Sequence, residues 1–183
     1  MNSKTEKDLW VEMSILEIST QARFAEIAYS FIDPKAANSL DVVFSSIHSF
    51  LSHCAMVSKM LKAKDDENPA KCIGDVLGIT HASIIHKRKF RNRLEHYDER
   101  LKKWIRRFAA GANMGAYNIG HKSAIQMPNM IFVSHYDPGG KIFTFVDEDF
   151  ELSSLFEEVK RIHNIADEWF IKMVQNVIRP PYI

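Results

Sequence analysis

The amino-acid sequence predicts a mainly α-helical bundle with one β-hairpin appended to it. Three observations carry that expectation. Apolar residues recur at steps of three and four through several long segments, the spacing of helices that bury one stripe. A single tract places two β-rich runs, MIFVSHY and KIFTFV, on either side of DPGG, a tight-turn sequence. No repeat, low-complexity tract or linker divides the 183 residues, so one domain over 1–183 is expected, long enough for a real core.

Taken in order, residues 7–32 read as a helix, with Met13, Leu16, Phe24, Ile27 and Phe31 among its apolar positions. The next helix is clearer: Leu40, Val43, Phe44, Ile47, Phe50, Leu51, Cys54, Val57 and Leu61 keep one stripe. It ends in KAKDDENP, where charge and Pro69 break the pattern. A short helix from Pro69, stopped by Gly78, is expected to follow. Thr80 or Ser83 can cap a long third helix reaching about Phe108, with Phe90, Leu94, Tyr97, Leu101, Trp104, Ile105 and Phe108 as its stripe. AAGANMGAYNIGHKS is small-residue sequence and reads as a Gly-rich loop over 111–120, followed by the hairpin at about 130–146. A long C-terminal helix closes the chain, marked by Leu152, Leu155, Phe156, Val159, Ile162, Ala166, Trp169, Phe170, Met173 and Val177. Ser154 and Glu157 are spaced as its capping box, and RPPYI ends it because proline cannot continue a helix.

Composition narrows the function classes. Hydrophobic content of 46% with 26% charged residues is that of a globular protein in water. No uninterrupted apolar run reaches the roughly 18–20 residues of a membrane span, and MNSKTEKDLWVEMS lacks the apolar stretch of a signal peptide. Cys54 and Cys72 suggest no disulfide framework, so a reduced, cytoplasmic protein without membrane attachment is expected. Net charge is only +1 but unevenly spread: residues 87–107 hold ten Lys/Arg against three acids, a local +7 that leaves −6 elsewhere. One basic element in an acidic body points to a local anion site.

Two familiar chemistries fail on spacing. GAYNIGHKS, residues 115–123, has one residue too many before Lys122 for a phosphate loop, and it precedes a predicted strand instead of following one. Metal motifs are also missing: there is no Glu-x-x-His pair, no His-Glu-x-x-His and no paired Cys-x-x-Cys. His48, His53 and Cys54 share one predicted helix and His81 and His86 lie near another, but a spacing of five sets helical residues about 140° apart. His121, His135 and His163 stand alone, the last at the edge of the C-terminal stripe. Neither a metal nor a cofactor is therefore expected.

The basic segment contains RNRLEH, with Arg91, Asn92, Glu95 and His96. On a helix Asn92 neighbours His96 and Arg91 neighbours Glu95, all on the polar side, with Leu94 and Tyr97 beneath. An arginine fork, an amide and an imidazole suit metal-free RNA cleavage. Histidine can move protons near neutral pH, and arginine can stabilise charge growing on a phosphate. The nucleophile is the RNA 2′-hydroxyl, so DNA is not an expected substrate.

Arg91-Asn92-x-x-x-His96 resembles the signature of the HEPN superfamily, R-x(4–6)-H with a polar residue after the arginine. That family consists of α-helical bundles, many of them metal-independent endoribonucleases of toxin–antitoxin, phage-defence and RNA-processing systems. Their active sites usually form between two subunits. The resemblance implies Arg91 and His96 as catalytic residues, with Asn92 beside them. It makes Glu95 and Arg100, within EHYDER, supporting residues. Lys87, Arg88, Lys89 and Arg93 are candidate RNA-phosphate contacts, and the implied partners are RNA, a second copy of the chain and a nucleotidyltransferase-like antitoxin. Two other readings compete: a non-catalytic RNA-, nucleotide- or protein-binding module using the basic segment, and a small-molecule sensor whose pocket is lined by Tyr117, Phe132, Tyr136, Phe143 and Phe145.

Overall fold

The computed structural model describes residues 5–35, 39–64, 72–87, 97–121, 124, 130–145 and 148–178. Three long helices form the body: α1 (Glu6–Ser30), α2 (Leu40–Leu61) and, at the end of the chain, α5 (Leu152–Ile178). Between them lie a one-turn helix α3 (Ile73–Val76), a 3₁₀ turn (Ile84–His86), α4 (Tyr97–Ala109) and strands β1 (Asn113–Ile119), β2 (Met130–Asp137), β3 (Ile142–Phe145) and β4 (Glu148–Glu151). The chain is mainly α, as expected.

α1 is fixed at its start by a capping box. The Thr5 hydroxyl accepts the Asp8 N–H at 3.2 Å while the Asp8 carboxylate accepts the Thr5 N–H at 3.1 Å. It is the central helix, packed on both α2 and α5. Its buried face is made of small and branched residues, Ser14, Ile15, Ile18, Ala22, Ala25 and Ala28. Small side chains let neighbouring helices approach closely, so the packing surface is not the one that bulk would suggest. Met13, Leu16, Phe24, Ile27 and Phe31, with Leu9, form a second apolar stripe that is exposed, Met13 at 62%.

α2 holds the middle of the core with its predicted stripe; only Leu40 stays outside it. Ser39 caps it by accepting the Val42 N–H at 3.3 Å. Among the described residues α2 is the one helix long and apolar enough to cross a membrane by length and mean hydropathy. Serines and histidines interrupt its apolar residues, so they form no unbroken apolar run. In the fold it is the core helix. Its apolar stripe meets α1 across one flank, with Tyr29 packed on Phe50 (5.2 Å) and stacked on Phe156 of α5 (4.0 Å).

The strands form one mixed sheet in the order β1-β2-β3-β4. The expected hairpin is its centre: β2 and β3 are antiparallel, Ser134 opposite Phe145 and Asp137 opposite Ile142. In the turn, Asp137 Oδ1 accepts the Gly139 N–H at 2.9 Å. The hairpin is not alone, however. The stretch read as a Gly-rich loop over 111–120 is largely strand β1, which pairs parallel to β2, and β4 pairs antiparallel to β3. A parallel strand takes its stability from the neighbour it pairs with and not from local sequence, which is why small residues could form it.

Register separates the two faces of the sheet. Tyr136, Phe143, Phe145 and Phe150 point toward the helices, with Phe143 6.3 Å from Phe44 and 5.9 Å from His48. The other face carries a row of polar residues, one from each strand: Asn118, His135, Thr144 and Asp149. Asn118 Nδ2 lies 3.0 Å from His135 Nδ1, and Thr144 Oγ1 donates to Asp149 at 2.5 Å. Buried Thr144 and the Nδ1 of buried His135 thereby find partners across the ladder, whereas His135 Nε2 is buried with no hydrogen-bond partner among the described residues.

Three boundaries depart from expectation. The long third helix does not start at Ser83. Ser83 accepts the Ile85 N–H of the 3₁₀ turn, and Lys87 then takes extended backbone (φ −60°, ψ 117°), which stops helical continuation. α3 is capped at Cys72, and Gly78, at φ +68°, terminates that turn as predicted; Pro69 lies outside the described residues. α5 begins at Leu152 directly from β4, so Ser154 sits inside its first turn and not at an N-cap.

Candidate nucleic-acid interface

α4 carries the charge. Lys102, Lys103, Arg106 and Arg107 are all exposed on a helix of 13 residues. The two arginines sit in its last turn and Asp98 and Glu99 in its first, the arrangement that opposes the helix dipole at both ends. Lys102 and Asp98 are 3.8 Å apart, both well solvated, so their pairing neutralises little. The helix is held to the body by Trp104, 6% exposed and part of the core, with Leu101 packed half-buried against the same cluster. Trp104 Nε1 is buried and has no acceptor among the described residues. Ile105 and Phe108, expected in the buried stripe, are half exposed at 49% each. The stripe of α4 is thus narrower than its spacing implies, and more of the helix faces water.

Arg91, Asn92, Glu95 and His96 lie outside the described residues, as do Arg88, Lys89 and Arg93 and the stripe residues Phe90 and Leu94. Arg100 falls within α4, with its side chain outside them. Lys87 is exposed at the end of the 3₁₀ turn. What the structure fixes is the frame on either side of the motif: the 3₁₀ turn ending at His86, and α4 starting at Tyr97, one residue after His96.

The entry side of that frame is built on polar contacts. The Ser83 hydroxyl donates to the Glu158 carboxylate of α5. Glu158 also accepts from Arg161 through both oxygens, at 2.7 and 2.8 Å, and this pairing first, then Ser83, hold its carboxyl below the usual glutamate value against the opposing effect of burial. His86 Nδ1 is 3.3 Å from the Ser58 hydroxyl of α2. Burial lowers the His86 pKa, and its neighbours Lys62 and His81 lower it further, against a partial pull upward from Glu158. At neutral pH His86 is therefore an uncharged imidazole that joins α2 to the segment entering the motif.

The histidines that looked isolated in sequence all have partners. His163 Nδ1 is 2.6 Å from Glu26 of α1 and its Nε2 3.4 Å from Asp167, whose other oxygen accepts from Ser19 at 2.6 Å, a polar clasp between α1 and α5. His121 faces Asp137 at 3.1 Å. Burial works against ionisation of Asp137, but the backbone N–H groups of Gly140 and Gly139, with His121, outweigh it and lower its pKa. His53 Nδ1 is 2.7 Å from Gln21, and burial lowers its pKa. Spacing finds only His163–Asp167 among these pairs, because the others join residues far apart in the chain.

The aromatics proposed as a sensor pocket share one face of the sheet but differ in exposure. Phe143, Phe145 and Tyr136 are buried against the bundle, and Tyr117 is exposed. A cleft of about 420 Å³ does lie beside the hairpin turn, but of the five aromatics only Tyr136 lines it, with Tyr29, Asp33, Lys35 and Lys141. Burial, then the nearby Tyr29, Asp33 and Asp137, push the Tyr136 hydroxyl up to about 12, so it is a hydrogen-bonding group and not a base at neutral pH.

The chain matches no protein-family model, no curated protein and no solved structure.

Proposed function

We propose that the protein is a metal-independent endoribonuclease of HEPN type, acting as a homodimer on RNA. One observation carries the reading: α4 begins one residue after the RNxxxH motif and presents four exposed cations on a helix anchored by Trp104. A polyanion drawn to that helix is delivered to the motif beside it. His96, as general acid or base, moves the proton of the 2′-hydroxyl or of the leaving 5′-oxygen. Arg91 stabilises the phosphorane charge and Asn92 orients its partners. The 2′-oxygen displaces the 5′-oxygen at phosphorus, leaving a 2′,3′-cyclic phosphate and a 5′-hydroxyl. Two segments of charge +7 repel unless an anion lies between them. RNA therefore tightens the dimer. An antitoxin-like partner belongs to the same reading, as does a cytoplasmic site of action.

The second reading is a non-catalytic module that binds RNA, a nucleotide or an acidic protein with the same basic helix, and it rests on the same four exposed cations. Incubation of wild type and His96→Ala with RNA in EDTA separates the two. Cleavage by wild type alone, with 2′,3′-cyclic phosphate ends, supports the nuclease. Binding without cleavage by both moves the function to the module. Salt tests the shared premise: if each of the four α4 cations neutralises one phosphate of single-stranded RNA, log K falls with log salt at a slope of about −3. A flat response overturns both.

A further inference from the structure

Cys72, Asp75 and His81 bring one thiol, one carboxylate and one imidazole together, each offering a ligand atom within 4.8 Å of the others. This is the one such group among the described residues. It lies outside the basic segment and satisfies no motif, because its spacing, Cys-x2-Asp-x5-His, is set by a turn and not by a helix face. Asp75 accepts from the Cys72 backbone N–H at 2.9 Å and from the Cys72 thiol at 3.2 Å. His81 and Asp75 are exposed, and Cys72 is 8% exposed.

The scaffold under these three groups is firm. Ile73, Leu77 and Ile79 are buried, and the Ile79 N–H donates to Gly74 at 2.8 Å. Gly78 provides the positive φ that turns the chain back, so that His81 returns toward the start of α3. Gly74 sits against the backbone of Leu61 and Ile79, where an added Cβ would come within 3.1 and 3.3 Å of their carbonyl oxygens. Lys64 and Cys72 are joined by an antiparallel bridge, tying the same turn to the end of α2.

We propose that Cys72, Asp75 and His81 bind a zinc-class divalent cation, with water in the fourth position. Ligand bonds of about 2.0–2.3 Å in a tetrahedron separate donors by roughly 3.5 Å. The thiol and carboxylate already stand at that separation, and the exposed imidazole needs only a side-chain movement to join them. A sulfur, a nitrogen and an oxygen select zinc over magnesium or calcium, which take oxygen ligands. On binding, the cation replaces the thiol proton, which leaves to solvent, and the thiolate replaces one metal-bound water. The metal ties the start of α3 to the segment that leads through His86 into the RNA motif.

Cobalt is the probe. Metal-stripped protein titrated with Co²⁺ is expected to take up one ion per chain, with a near-ultraviolet thiolate-to-cobalt absorption and the visible bands of a tetrahedral ion; Zn²⁺ should bleach both. Cys72→Ser should abolish the thiolate absorption and His81→Ala should weaken binding at least tenfold. Serine is a better N-cap than cysteine, so Cys72→Ser should fold, which circular dichroism checks. Cys54→Ala is the control, since Cys54 is buried in α2, and it should keep the absorption. No retained cobalt, or an absorption that survives in Cys72→Ser and disappears in Cys54→Ala, overturns the assignment.

Discussion

Trp104→Ala removes the one side chain of α4 that is buried among those described, and leaves every cation of the helix in place. Truncating a buried Trp to Ala costs about 3–5 kcal/mol through lost transfer energy and the cavity left behind. That is a large share of the roughly 5–15 kcal/mol that stabilises a domain of this kind. Urea unfolding followed by circular dichroism should report this loss as a shift of the midpoint. RNA binding, measured by anisotropy at fixed salt, should fall at least tenfold although net charge is unchanged, because the cations are no longer held on one fixed surface. Trp104→Phe keeps most of the apolar contact and replaces a buried N–H that has no acceptor among the described residues. Its cost should stay below about 1.5 kcal/mol, with RNA affinity near wild type. If Trp104→Ala stayed within about 0.5 kcal/mol of wild type and bound RNA equally well, Trp104 would not anchor α4 and the orientation of its cations would not matter for binding.

His86 and His53 have folded pKa values below the free value of 6.5, chiefly through burial. Their contribution to stability is complete above pH 6.5 and is lost as pH falls below it, because the unfolded chain takes up the protons first. Thermal midpoints should therefore drop between neutral pH and pH 5, and His86→Gln should flatten that drop; an equal drop in the variant would discount His86. Gly115→Ala places a Cβ against the Phe132 ring and 2.9 Å from Met130 Cε at the β1–β2 ladder. A cost of about 1–3 kcal/mol is expected from overpacking, read by urea denaturation, whereas a neutral result would mean that β1 is not paired in this register.

How much of this was readable beforehand depended on whether structure was dictated locally. The stripe of α2 and the turn chemistry of DPGG are local signals, and both appear where expected. β1 was missed because NMGAYNI has the small residues of a loop, and its strand character comes from pairing with β2. β4, EDFE, is four residues long with three acids, too short and too charged to show alternation. α1 misled in another way. The large apolar residues that stand out in its sequence face water, whereas the face between α2 and α5 needs alanines to fit. The third helix was drawn too long because spacing alone cannot register the extended backbone at Lys87. For the candidate site, Arg91, Asn92 and His96 were legible as a motif, and the structure adds the anchored basic helix that follows them. The group at Cys72, Asp75 and His81 was not legible, since only the turn at Gly78 brings its members together.

The order of the strands also sets an order of events. β2, β3 and β4 form a meander closed by short connections, whereas β1 joins its partner in parallel across residues 120–129. Short antiparallel closures form early because little chain entropy is lost in making them, and a parallel pairing over a longer connection comes later. β1 is an edge strand, with β2 as its one ladder partner among the described residues. α4 leads into it through a tight turn at Gly111, whose φ is +94°. Trp104, seated in the core, keeps the basic helix attached where β1 has only one neighbour, so an opening of that sheet edge is expected to leave α4 in place.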